Sequence, residues 1–389
     1  MKKVTGLLAL LLLAAGCTPD HPAVKHSVRM DKEEILTLAS DRSVIENEIF
    51  RLSLYPGLSG GIENITLKKS NIPLLWGGKL LQITRGPLIV YPQASGVLFQ
   101  EKFWRGNDGI ISNMTVKEST PDSITLYCPE YGSMSAELTR KVTLEKDAFA
   151  VNFDVNVKFR TQPRQGYTAP WLNMMPSGEV KWVAAIPTVG GDAVNGLGNK
   201  TDFPATGIYR GGWHAPNTYF APERNWIAVS APAENVAVAL LFKDDRKKCT
   251  FYSWFSNNFG GKVCRTIEVI MPQLVLDKNL AGSYSYKLAV FSGISDLREI
   301  IGETAMELKI NDKEAILTFS AYKAAPARKV TLKITQPGKA PIALGMADLP
   351  ALVPGKAHKL TFKLPEAGMK GKFSGTLGSE KFELLDVIR

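Results

Sequence analysis

Proton transfer on a neutral substrate needs an acid and a base within reach of one atom, and this sequence offers few candidates. Glu268 stands between Ile267 and Val269 on an apolar alternating run, a pattern that predicts a strand with its carboxylate turned away from the core. His214 is the only histidine between His26 and His358. It lies in Arg210-Gly-Gly-Trp-His-Ala-Pro-Asn217, a Gly/Pro-rich loop of the kind that carries binding groups on a rigid scaffold. Glu268 and His214 form the candidate catalytic pair, with Glu223 as an alternative base or ligand contact. Arg85, Gln93 and Arg105 supply forked or planar groups suited to hydroxyl, carboxylate or phosphate oxygens.

Trp171, Trp182, Trp213 and Tyr209 are flat faces on which the C–H side of a sugar ring can stack. Trp171 and Trp213, beside Pro and Gly, are the stronger pair. Each candidate also has a plainer reading: a solvent-face glutamate, a surface histidine, aromatic core packing, or an arginine in a strand-end ion pair. Other chemistries are excluded. The chain has no Gly-x-Ser-x-Gly and no phosphate loop of the Gly-x-x-x-x-Gly-Lys type. No Cys-x-x-Cys or Cys/His spacing suits zinc, so neither metal nor cofactor is expected.

The elements that must position these residues are strands. In Phe149–Phe159, six apolar residues alternate with Ala150, Asn152, Asp154, Asn156 and Lys158, the signature of a long half-buried antiparallel strand. Similar runs cover 136–144, 225–242, 250–255, 263–271 and 283–291. One helix is expected, N-capped by Ser295 and running from Asp296 to Leu308 with Leu297, Ile300, Ile301 and Met306 on one side. Beyond it, short strands at 330–335, 359–364 and 381–385 are split by Gly turns, as in a small immunoglobulin-like sandwich. The fold class read from this pattern is all-β, a large antiparallel sandwich at 43–308 followed by a small one at 309–389.

Four segments of the large domain resemble the galactose mutarotase superfamily of aldose and hexose-6-phosphate epimerases. They are Asn47–Ile65, Ile83–Gln93 with its Arg-Gly and Pro-Gln pairs, Leu138–Phe159, and Glu268 followed by Leu276–Phe291. The resemblance implies a β-supersandwich with a hollow for a saccharide, Glu268 as general base, and Arg85 as contact for an anionic substituent. In the epimerases a histidine on a central strand is the general acid. The matching segment here, Tyr167-Thr-Ala-Pro-Trp-Leu-Asn173, has no histidine, and Trp171 cannot exchange a proton near pH 7. The resemblance therefore implies sugar recognition without standard mutarotase activity.

The first residues bear on location. Lys2 and Lys3 precede a short apolar core from Leu7 to Ala15, and Ala14-Ala15-Gly16 leads into Cys17. Such a run is too short to span a bilayer and reads as a lipoprotein signal at 1–16, with Cys17 lipidated and 17–42 as tether. A bacterial envelope location follows, and Thr18 after Cys17 favours the outer membrane. Cys249 and Cys264 flank a hairpin signal and form a possible disulfide. The chain carries 47 Lys and Arg against 37 Asp and Glu, but its basic residues are scattered among acids. That pattern argues against a nucleic-acid partner and leaves carbohydrate and the membrane. Three readings remain open: a carbohydrate-binding lipoprotein, a divergent epimerase or polysaccharide lyase, and a non-catalytic assembly protein.

Overall fold

The computed structural model describes residues 42–57, 59–75, 99–103, 112–131, 136–163, 168–174, 176–177, 180–189, 193–195, 200–201, 206–210, 217–259 and 262–388. Long runs of alternating residues become long strands. The expected strand at 149–159 is observed as Ala150–Phe159, paired on one side with Ala136–Leu144 and on the other with Ala281–Ser292. No α-helix occurs among the described residues, whose only helical element is the 3-10 turn Arg246–Lys248.

Two large antiparallel sheets form the body. Across the first, the described strands run in the order Ser43–Glu46, Phe50–Tyr55, Gly61–Leu67, Phe99–Phe103, Pro170–Met174, Lys262–Ile270, Thr250–Phe259, Asn217–Phe220, Ala193–Asn195 and Lys200–Thr201. The second runs from Val387–Ile388 through Gly207–Tyr209, Val183–Thr188, Trp226–Ala231, Val236–Phe242 and Ala281–Ser292 to Ala150–Phe159, Ala136–Leu144, Ser123–Tyr131 and Thr115–Ser119. Inward residues of both sheets, among them Leu52, Leu172, Val269, Phe153, Val238 and Leu288, share one apolar core. These two packed layers are the large antiparallel sandwich read from the sequence pattern, and they agree with the supersandwich that the resemblance implied. Trp182 is a correction to the aromatic candidates, because its ring belongs to this core.

One buried cation ties the two layers together. Arg140, on the second sheet, donates from Nη1 to the carbonyls of Ser59 at 3.2 Å and Gly60 at 2.8 Å. Gly60 has φ +62°, and a Cβ there would lie 2.6 Å from Leu126 Cδ1 and 2.8 Å from that guanidinium. Only glycine fits this turn, which delivers the chain into Gly61–Leu67.

The remaining strands make a small immunoglobulin-like sandwich with its own core. Leu297–Ile301, Thr304–Ile310, Glu314–Ala321 and His358–Lys363 form one sheet, and Ile342–Leu349, Arg328–Thr335, Lys372–Leu377 and Glu380–Glu383 the other. The expected helix at 296–308 is overturned: that segment is a hairpin in which Ile301 opposes Thr304. Gly302, at φ +54°, opens its two-residue loop, as a type II′ connection requires. Ser295 caps no helix, and instead donates its hydroxyl to Glu307 at 2.6 Å.

The small sandwich packs on the outer face of the second sheet. There Ala150, Ala185, Ala228, Ala237, Ala239 and Ala289 present almost no side chain, so Leu297, Ala305 and Tyr322 approach closely. Glu299, only 2% exposed, accepts from Arg224 Nε at 2.8 Å, from the Ile300 amide at 3.0 Å and from Trp226 Nε1 at 3.4 Å. Removing the cation leaves this buried carboxylate uncompensated. Arg224→Ala is therefore expected to lower stability by about 3 kcal/mol in urea unfolding, whereas Glu223→Ala, at a more exposed pair, is expected to cost less than about 1 kcal/mol.

Candidate functional site

Strand alternation divides the first sheet into a core face and a chemical face. On Pro170–Met174, Leu172 and Met174 enter the core, so Trp171 and Asn173 emerge on the other side. On Lys262–Ile270, Ile267 and Val269 point inward and Thr266 and Glu268 outward. Phe251 and Phe220 are core residues, which turns their neighbours Tyr252 and Tyr219 outward. Residues opposite one another in an antiparallel pair share a face. Asn173 opposes Glu268, Glu268 opposes Tyr252, and Tyr252 opposes Tyr219. Four polar side chains from four strands thus form one row, with Trp171 beside it.

The row is well enclosed. Glu268 is 3% exposed and Asn173 2%, while Trp171 and Tyr252 are also buried. The Thr266 hydroxyl donates to Glu268 Oε1, a charge-assisted bond that fixes the carboxylate. Trp171 meets Tyr252 edge to face at 5.7 Å between centroids, and Tyr252 packs on Tyr219 at 4.8 Å. Burial, and then the Glu268 charge, raises the Tyr219 pKa, so its hydroxyl stays protonated at neutral pH. The arrangement combines a carboxylate acceptor, an amide that both donates and accepts, phenolic hydroxyls and a wall of aromatic rings. Groups of these kinds can hydrogen-bond and stack against a polyhydroxylated ring, and a carboxylate can also accept a proton.

The sequence candidates divide accordingly. The structure brings Trp171 and Glu268 onto one face. It gives Glu223 a different setting, bound by Arg224 Nη1 at 2.7 Å and approached by Arg246 at 3.6 Å. Cys17, Arg85, Gln93, Arg105, Trp213 and His214 lie outside the described residues. Tyr209 packs against the main core and, at 5.1 Å, against Phe220. Asn173, Thr266 and Tyr252 were not singled out from sequence. The signal that finds them is their place two residues, or one pairing partner, from Trp171 and Glu268.

The disulfide expectation does not survive the register. Cys264 opposes Ser256, seven residues along the strand from Cys249, roughly 23 Å at 3.3 Å per residue. A bridge needs Cα atoms within about 7 Å. Cys249 is a free buried thiol whose Sγ faces the Asp245 carbonyl at 3.7 Å. Burial, followed by Asp244 and Asp245, pushes its pKa up to about 12. Among the described residues, no group of His, Cys, Asp and Glu could hold a metal ion. A cavity of about 770 Å³ opens by the second sheet, lined by Asn156, Asp244, Lys248, Gln273 and Ser283 among others, and includes none of the sequence candidates.

No protein-family model matches the chain, and no curated protein matches it. Among solved structures it is similar to the Slr1438 protein from Synechocystis sp. PCC 6803, at 12% identity over 66% of this chain and 96% of that one, with a TM-score of 0.44. A TPR-domain containing protein from Parabacteroides distasonis is 12% identical over 63% of this chain and 46% of its own length, with a TM-score of 0.47. A galactose mutarotase related enzyme from Lactobacillus acidophilus is 10% identical over 66% of this chain and 99% of its own, with a TM-score of 0.43.

Because Glu268 is one of two causes of the Tyr219 shift, Glu268→Gln is expected to lower the Tyr219 pKa. The burial cause remains, so the value should stay above the ordinary tyrosine figure of about 10. A pH titration of 13Cζ-tyrosine NMR signals, assigned with Tyr219→Phe, checks both statements.

Proposed function

We propose that the protein is a bacterial envelope lipoprotein that binds carbohydrate on the outer face of its first sheet, without standard mutarotase activity. The observation that carries this reading is the row Asn173–Glu268–Tyr252–Tyr219 beside Trp171, on a sheet face turned away from the core. Its polar groups match sugar hydroxyls and its rings match the apolar faces of a pyranose. The absence of histidine from Tyr167–Asn173 supports binding over ring opening by a histidine acid. A second reading, sugar proton transfer with Glu268 as base, draws support from the carboxylate's place on the same sheet face as the Tyr252 and Tyr219 side chains.

A glycan array probed with the full chain is expected to give saturable binding. Trp171→Ala and Glu268→Gln should each weaken it by roughly tenfold, about 1.4 kcal/mol. An array without a hit, using folded protein, contradicts the proposal. Polarimetry separates the readings: the wild type is expected to leave the anomerisation rate of the bound sugar unchanged, whereas acceleration abolished by Glu268→Gln supports the enzyme.

The lipid anchor is a proposal resting on the Ala14–Cys17 junction. Labelled palmitate is expected to enter the wild-type protein, which sediments with membranes. Cys17→Ser should abolish both. Retained labelling would contradict the anchor.

A further inference from the structure

The chemical face of the first sheet extends beyond the row around Glu268. Between Phe50–Tyr55 and Gly61–Leu67 the register slips, since Ser53 opposes Asn64 but Leu54 opposes Ile62. Glu63 is the extra residue of a β-bulge. Its flanks Ile62 and Ile65 are both buried in the core, while Glu63 and Asn64 are only half-buried. The bulge thus breaks the alternation and sends two adjacent polar side chains to the same side, a device that re-aims side chains beside functional sites.

That side is the one carrying Glu268. Ile62 opposes Phe99, Phe99 opposes Met174, and Met174 opposes Ile267, and Ile62, Met174 and Ile267 all lie in the core. Three strand steps separate Gly61–Leu67 from Lys262–Ile270, about 14 Å at 4.8 Å per step. A single sugar ring cannot bridge that interval. A short chain of rings laid across the strands can.

The groups at the bulge form a set. Tyr55 donates its hydroxyl to Glu63 Oε1 at 2.7 Å, and Arg42 Nε lies 3.1 Å from the other oxygen. Asn64 donates to Thr66 Oγ1 at 3.4 Å, but its buried carbonyl oxygen has no hydrogen-bond partner. A buried acceptor without a donor is costly to keep; this oxygen is shielded where it stands, and a turn of the half-buried Asn64 side chain would present it to a ligand hydroxyl. Burial and the Glu63 carboxylate raise the Tyr55 pKa, which keeps its hydroxyl a donor. Arg42 balances the Glu63 charge, so the set suits neutral hydroxyls over an anionic group.

We propose that Tyr55, Glu63 and Asn64 form a second subsite, so that the ligand is a neutral oligosaccharide crossing the strands from Glu268 rather than a single sugar. This inference rests on the carbohydrate-binding reading and names its substrate class. The test is calorimetric titration of the full chain with linear malto-, cello-, xylo- and manno-oligosaccharides of one to six units. Affinity is expected to rise with length, by roughly tenfold from one unit to four. Asn64→Ala and Glu63→Gln should erase that gain while leaving affinity for the single sugar unchanged, and Glu268→Gln should weaken every length. Length dependence that survives in Asn64→Ala, or equal wild-type affinity at all lengths with Glu268→Gln still weakening it, overturns the subsite and leaves the binding reading standing. No binding at any length overturns both. Near-UV circular dichroism of each variant, with the exposed Arg42→Ala as a second probe of the same set, separates lost binding from lost fold.

Discussion

The period-two geometry of a β-strand governs both the stability and the chemistry of this protein. Every strand of the first sheet that carries Leu172, Val269 or Phe251 into the core must turn Trp171, Glu268 or Tyr252 the other way. A one-residue slip in register would bury Glu268 among aliphatic side chains and expel Ile267 and Val269. The cost of such a slip makes the common core the device that aligns the row. Positioning is thereby shared across strands that lie far apart in the chain, from Pro170–Met174 to Thr250–Phe259.

The second sheet serves this face indirectly. Arg140 crosses from it to hold the Ser59–Gly60 turn, which sets where Gly61–Leu67 begins and so where the bulge at Glu63 falls. Part of its outer face is lined with alanines and covered by the small sandwich, with Glu299 and Arg224 as the buried pair at the join. Beyond the covered part, Lys141, Asp154, Asn156 and Lys158 of the second sheet lie exposed. The chain end returns to this arrangement, for Val387–Ile388 pairs in parallel with Gly207–Tyr209.

How much of this was legible in the sequence depends on the range of the signal. Alternation is local, so the strands at 136–144, 150–159 and 281–292 could be read directly. Glu268 could also be read as outward-facing, because Ile267 and Val269 flank it. Pairing is not local, and nothing near Asn173 or Tyr252 announces that they will meet Glu268. The segment at 296–308 misled because Leu297, Ile300 and Ile301 fall at helical spacing by coincidence. The deciding signal was Gly302, whose positive φ turns a hairpin. Register likewise decided the fate of Cys249 and Cys264, whose separation along paired strands cannot be read from spacing alone.

The account stands or falls on where a saccharide sits. A crystal structure of the full chain soaked with an oligosaccharide that it binds is the direct measurement. The account requires a sugar ring against Trp171, with hydroxyl oxygens roughly 2.6–3.2 Å from the Glu268 carboxylate and the Asn173 amide. Density instead in the cavity beside Asn156, Asp244 and Ser283, with the Trp171–Glu268 face empty, would contradict it.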